Sequence, residues 1–214
     1  MKNKRLLRNL LCLSLVGSVL AVLGFNCSQS KMYSVGSVSN ESNAVSKAED
    51  LPYALLNAEQ ALSSMLNVTG QSVPSTGIRN EFNIRNSAFA VNSFLSSMNA
   101  PMLLSATSLA GEVCNGLITT ERATGATRAF FNGVNFTAGP SAITPASYQN
   151  VLNQFSQKVW SRALDEKEIE LLTQFRTEYI ATLTAAEQSQ AARTSAFYIG
   201  VCSAFLSSFD SLIF

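Results

Sequence analysis

Between Leu55 and Leu206 apolar residues recur at three- and four-residue spacing over most of the chain, so its body must be built from helices that each bury one face. Leu55, Ala58, Leu62, Met65 and Leu66 share the first face, and Gly70 supplies the stop. The spacing continues over Ile78–Met98 with Phe82, Arg85, Phe89, Ser93 and Phe94. Pro101 opens a third helix carrying Leu103, Leu104, Ala106, Thr107, Ala110, Cys114 and Leu117. Thr144 followed by Pro145 is a cap with proline at the first helical position, ahead of Tyr148, Val151, Leu152, Phe155 and Val159. Asp165 reads as a further N-cap, with Glu166 and Glu168 in the first turn. Ile169, Leu172, Phe175, Tyr179, Ile180 and Leu183 form that helix's apolar face. The last helix, Glu187–Phe209, is apolar almost all round from Ala196 to Leu206, which marks it as the central one. The expectation is an all-α fold, a single bundle of about five to six helices over residues 51–214 with one Gly-rich loop or small hairpin.

That loop is Thr119–Ile143, which holds Gly125, Gly133, Gly139 and Pro140 and no helix-length apolar face. Inside it Asn132-Gly133 stands between apolar residues, a hairpin signal. Phe130, Phe131 and Phe136 have two readings: an exposed aromatic tip that grips a partner, or rings folded back onto the helices to cover the core. Burial is the commoner fate of aromatic rings.

The chemistry the chain lacks is as informative. It contains no histidine, which removes Ser-His-Asp and Cys-His catalysis, histidine-ligated zinc and Cys-x-x-Cys-His haem attachment. Four cysteines spread from Cys12 to Cys202 are too few and too far apart for a zinc or iron–sulfur site. Neither phosphate-binding glycine motif occurs, so no cofactor and no metal are expected. Carboxylates remain: Glu112 and Glu121 are the candidates for a general acid of the glycosidase sort, each set against the plainer role of a surface or helix-end glutamate.

The N-terminus determines where such a body would work. Met1–Arg8 carries Lys2, Lys4, Arg5 and Arg8, an apolar run extends from Leu10 to Phe25, and Cys27 lies just beyond. A basic segment followed by an apolar stretch too short to span a bilayer comfortably is the pattern of an export signal. Leu23-Gly24-Phe25-Asn26-Cys27 resembles the cleavage region of bacterial lipoproteins, although Phe25 and Asn26 stand where small residues are usual. That resemblance implies a signal peptide over residues 1–26, with Cys27 acylated as the first mature residue. Cleavage after Ala21 or Gly24 by an ordinary signal peptidase, or retention as a short anchor, are the other readings. Residues 27–50 are rich in Ser and Asn without a sustained period, as expected of a tether with a reach of roughly 25 Å. Ser28 after the acylated cysteine leans towards the periplasmic face of the outer membrane.

Two consequences follow from the export reading. Cys12 leaves with the signal and Cys27 with the lipid, so Cys114 and Cys202 remain as an even pair in an oxidising compartment. They are expected to form a disulfide, the alternative being two separately buried thiols. Removing four basic and no acidic side chains leaves eleven basic against fourteen acidic, a net charge of −3. No Lys/Arg cluster follows Arg8, so nucleic acid is not an expected partner. A second, looser resemblance lies at Val159–Phe175, where Trp160-Ser161-Arg162-Ala163-Leu164-Asp165-Glu166-Lys167-Glu168 is similar to an element in helical domains of large envelope proteins, families often joined to c-type cytochrome modules. The haem ligands of such modules are missing here, and the likeness assigns no function. The expected role is non-catalytic binding or scaffolding by a membrane-anchored protein, with an envelope protein as partner. The alternative is a histidine-free, carboxylate-dependent enzyme acting on cell-wall glycan.

Overall fold

A computed structural model of the chain describes residues 55–89, 99–124 and 128–212. Among them the chain is helical, with seven α-helices, three short 3-10 turns and no strand. The signal region, Cys27 and the tether expected over residues 27–50 lie outside the described residues.

Helix α1, Ala58–Thr69, begins after Leu55, the first residue of the expected face, which is fully buried but lies ahead of the helix. Asn57 accepts from the Gln60 amide while the Gln60 side chain accepts from the Asn57 amide, at 2.9 and 3.0 Å, a reciprocal capping box. It ends at Gly70, whose φ of 70° is open to glycine without a Cβ penalty. The Gly70 and Gln71 amides then return to the carbonyls of Asn67 and Leu66 at 3.1 and 2.9 Å.

Helix α2, Thr76–Arg85, is shorter than the apolar spacing suggested. It closes at Arg85, a 3-10 turn covers Asn86–Ala88, and Phe89 is extended and buried. The expected continuation through Ser93 and Phe94 to Met98 falls outside the described residues.

The axis of the bundle is α3, Ala100–Thr124, a helix of 25 residues. Two apolar rows run along it, Met102–Ala106–Leu109–Val113–Leu117 and Ala110–Cys114–Ile118, because partners cover it on two sides. Leu104, expected on the buried face, is 69% exposed instead. Helix α4, Pro145–Val159, is capped by Thr144, and α5, Glu166–Thr182, by a second capping box between Asp165 and Glu168. Of the expected α5 face only Leu172 is fully buried. Phe175 and Tyr179 are half-buried at its edge, packed on Phe197 at 5.5 and 5.1 Å between ring centroids. The helix is therefore peripheral.

The expected last helix divides. A one-turn helix α6, Ala185–Gln188, closes in its own capping box from Thr184, and α7 then runs Ala191–Leu206. Ser189 and Gln190 form the break, and Asp210 falls in a 3-10 turn after the helix. Helix α7 is central as expected, burying Phe197, Tyr198, Val201, Cys202, Phe205 and Leu206 against α3 and α4. Cys114 of α3 and Cys202 of α7 form a disulfide at 1.93 Å, with Cα atoms 5.9 Å apart. Leu56 donates its amide to the Leu212 carbonyl at 2.9 Å, bringing the two ends of the described body together. No helix among the described residues is long and apolar enough to cross a membrane.

Candidate functional site

The stripe that buries Cys114, Leu117 and Ile118 on α3 continues one turn later to Glu121, so the helix itself carries a carboxylate into the interior, 5% exposed. A buried carboxylate is stable only where donors surround it. The loop after α3 provides them. The amides of Ala129 and Phe130 donate to Oε1, each at 3.0 Å, and that of Phe131 donates to Oε2 at 3.0 Å. Arg128 caps the other end of the same turn: its Nε donates to the Glu121 carbonyl at 3.1 Å and its Nη1 to the Val134 carbonyl.

This anchoring decides between the two readings of the phenylalanines. Phe130, Phe131 and Phe136 are 2%, 0% and 2% exposed: the rings fold back onto the helices, and the exposed aromatic grip is not what forms. Phe131 contacts Phe136, Phe155 and Tyr198 at 5.4, 5.6 and 5.5 Å, and Phe130 contacts Phe155 at 4.7 Å. The row continues through Phe205 to Trp160. Lys158 lies 4.6 Å over the Phe130 ring and donates to the Ala129 carbonyl, closing the rim. Asn132 and Gly133 form a turn closed by the Val134 amide on the Phe131 carbonyl, with no strands flanking it, so the region is a loop rather than a hairpin.

Glu112, the other candidate acid, is placed one side of α3 away, against α2. Its Oε2 occupies the space beside Gly77, 2.8 Å from where a Cβ there would stand. One turn along the same contact Glu81 of α2 accepts from the Ser108 hydroxyl at 2.6 Å and from Arg85 at 2.9 Å. The Ser108 hydrogen bond and then Arg85 hold the Glu81 carboxyl below the usual carboxylate range. The structure does not bring Glu112 and Glu121 together: nine residues apart on α3, Glu112 meets α2 and Glu121 meets the loop. Glu81, which sequence reasoning passed over, carries only a weak signal, an Arg four residues later.

Two other places hold polar groups or space. Tyr148 and Tyr198 lie beside Arg176 at the start of α4. Burial pushes the Tyr198 hydroxyl up to about 12, with Ser147 and Arg176 acting the other way, and pushes Tyr148 up further. Tyr148 donates to the Leu172 carbonyl at 2.9 Å. Tyr198 Oη is buried without a hydrogen-bond partner among the described residues. An open groove of about 280 Å³ lies between the start of α1 and the end of α2, lined by Asn57, Glu59, Phe82, Asn86, Ser87 and Phe89. Among the described residues no cluster of three or more His, Cys, Asp or Glu side chains could hold a metal ion.

No protein-family model, no curated protein and no solved structure matches this chain.

Proposed function

We propose that the chain is a lipid-anchored cell-envelope protein, held through Cys27 at the periplasmic face of the outer membrane, with a non-catalytic binding or structural role and an envelope protein as its partner. The observation that carries this reading is the Cys114–Cys202 disulfide. A structural disulfide belongs to an oxidising compartment, which an export signal would supply. The pairing also accounts for the cysteines after the apolar run, leaving Cys27 as the one available for acylation. The geometry of Glu121 supports the non-catalytic part: its carboxylate faces backbone amides in the interior, where it organises a loop. Glu112 meets a glycine of the neighbouring helix.

The test is the intact mass of the protein extracted from membranes, compared with a Cys27→Ala variant. The expected result is a diacylglycerol-modified N-terminus at Cys27 that disappears in the variant together with membrane retention. An unmodified mature chain beginning near Val22 or Phe25 would overturn the anchor. Replacing Glu112 and Glu121 separately by Gln and assaying cell-wall cleavage tests the rest, since loss of cleavage at either position would make the protein an enzyme.

A further inference from the structure

The chain contains two Asn-Gly dipeptides, Asn115-Gly116 and Asn132-Gly133, and the fold treats them oppositely. An asparagine followed by glycine is chemically vulnerable because no side chain hinders the glycine nitrogen from approaching the asparagine side-chain carbonyl. We propose that Asn132 is a site of backbone-mediated deamidation in the native protein, converting to aspartate and isoaspartate, and that the fold protects Asn115.

The geometry of the tip favours the reaction. Asn132 and Gly133 are both exposed, and nothing lies within 4 Å of where a Cβ on Gly133 would stand. Gly133 has a φ of 79° in the turn closed by Val134 on Phe131. Among the described residues neither the Asn132 side chain nor the Gly133 N–H has a hydrogen-bond partner, so ring closure breaks none. The flanks are fixed on both sides: Phe131 donates to Glu121, and Arg128 donates to the Val134 carbonyl. The two-residue tip can therefore rotate its central peptide without disturbing the buried rings.

Asn115-Gly116 lies in the middle of α3, one residue after the disulfide at Cys114. A helical Gly116 amide points along the axis to the carbonyl four residues back, away from the Asn115 side chain. Gln71 crowds the same glycine, its Oε1 2.6 Å from the Cβ position. Asn115 must wait for local opening of the helix that carries the disulfide.

The step balances with water as the only co-reactant. The Gly133 nitrogen gives its proton to solvent and bonds to Asn132 Cγ. The Cγ–Nδ2 bond breaks, and Nδ2 leaves as ammonia after taking a proton from solvent. Water then opens the cyclic imide at either carbonyl, giving aspartate or isoaspartate with no change of oxidation state. Each product adds one negative charge to the loop.

The test incubates the disulfide-intact mature protein in mildly alkaline buffer and follows its tryptic peptides by tandem mass spectrometry. The expected result is the mass gain of an amide-to-acid exchange at Asn132 at least about tenfold faster than at Asn115. In the reduced, urea-unfolded chain the two rates should converge, and an Asn132→Ser variant should lose the native signal. Asn135 is a slow internal reference in the same peptide, because Phe136 hinders the attacking nitrogen and the Asn135 side chain accepts from the Thr137 amide and hydroxyl. Native rates at Asn115 equal to those at Asn132, or an Asn132 that reacts only once unfolded, would overturn the proposal.

Discussion

Replacing Glu121 by Ala removes the acceptor for three consecutive backbone amides, and the cost can be worked donor by donor. The Ala129 amide belongs to an exposed residue and can turn to water, so its loss is small. Those of Phe130 and Phe131 belong to buried residues. A buried donor left without a partner costs about 1–3 kcal/mol, which puts the two together at about 2–5 kcal/mol once some water enters the vacated space. For a domain of this size that is a fall in Tm of about 5–20 °C. Glu121→Gln keeps one acceptor oxygen but sets an NH2 group against the remaining amide, so about half the effect is expected. The effect should be confined to the loop's anchoring, with the helices intact.

Urea unfolding followed by far-ultraviolet circular dichroism, with the disulfide intact, measures the loss. Near-ultraviolet dichroism of the aromatic row reports whether the rings stay seated. The expected order of stability is wild type, Glu121→Gln, Glu121→Ala, with unchanged m-values. An Ala variant within about 0.5 kcal/mol of wild type would refute the reasoning: ring burial alone would then hold the loop, and water would replace the carboxylate.

Three further outcomes are expected. A Cβ at Gly139 would lie 2.1 Å from the Gln188 carbonyl oxygen, backbone that cannot yield, so Gly139→Ala should sharply reduce soluble yield and Tm, whereas Gly133→Ala, with open space around it, should cost about 1–2 kcal/mol from its positive φ alone. Reduction of Cys114–Cys202, which are 88 residues apart, should lower stability by up to about 4–5 kcal/mol in the chain-entropy picture, read as a shift of the urea midpoint between oxidised protein and a Cys114→Ala/Cys202→Ala variant. Tyr198 ionises at about 12 when folded against 10.0 unfolded, so its contribution is complete below 10.0 and lost as pH rises towards 12; Tyr198→Phe should flatten that alkaline limb, followed by unfolding and by tyrosinate absorbance.

What was legible in the sequence was local chemistry. Thr144 with Pro145 and Asp165 with Glu168 are complete within four residues, and each marks a helix start that forms. Gly70 works the same way at a helix end. Cys114 and Cys202 could be paired from far apart because so few partners were on offer. Boundaries without such punctuation were misread. Neither glycine nor proline marks the end of α2 at Arg85, and the break before α7 is a Ser-Gln dipeptide that an apolar count runs straight through. The faces of α3 and α5 erred for a different reason. Periodicity says that a face exists but not how many neighbours cover it: α3 is covered on two sides and buries two rows, while α5 lies at the edge and fully buries one residue.

Glu121 shows what a sharper reading would need. It falls seven residues after Cys114 and four after Leu117, on the stripe that the apolar residues define, so its burial follows from the same period that predicts the helix. A carboxylate on such a stripe requires donors, and with no histidine in the chain and no basic residue on its own face they had to come from the backbone that follows. The loop's glycines made it look like a place for function, but its amides are ordered by the acid at the end of α3 and its rings by α4 and α7. Its loose part is the two-residue tip beyond those anchors. The same acid therefore explains why the phenylalanines are buried while the Asn132-Gly133 tip stays exposed to chemistry.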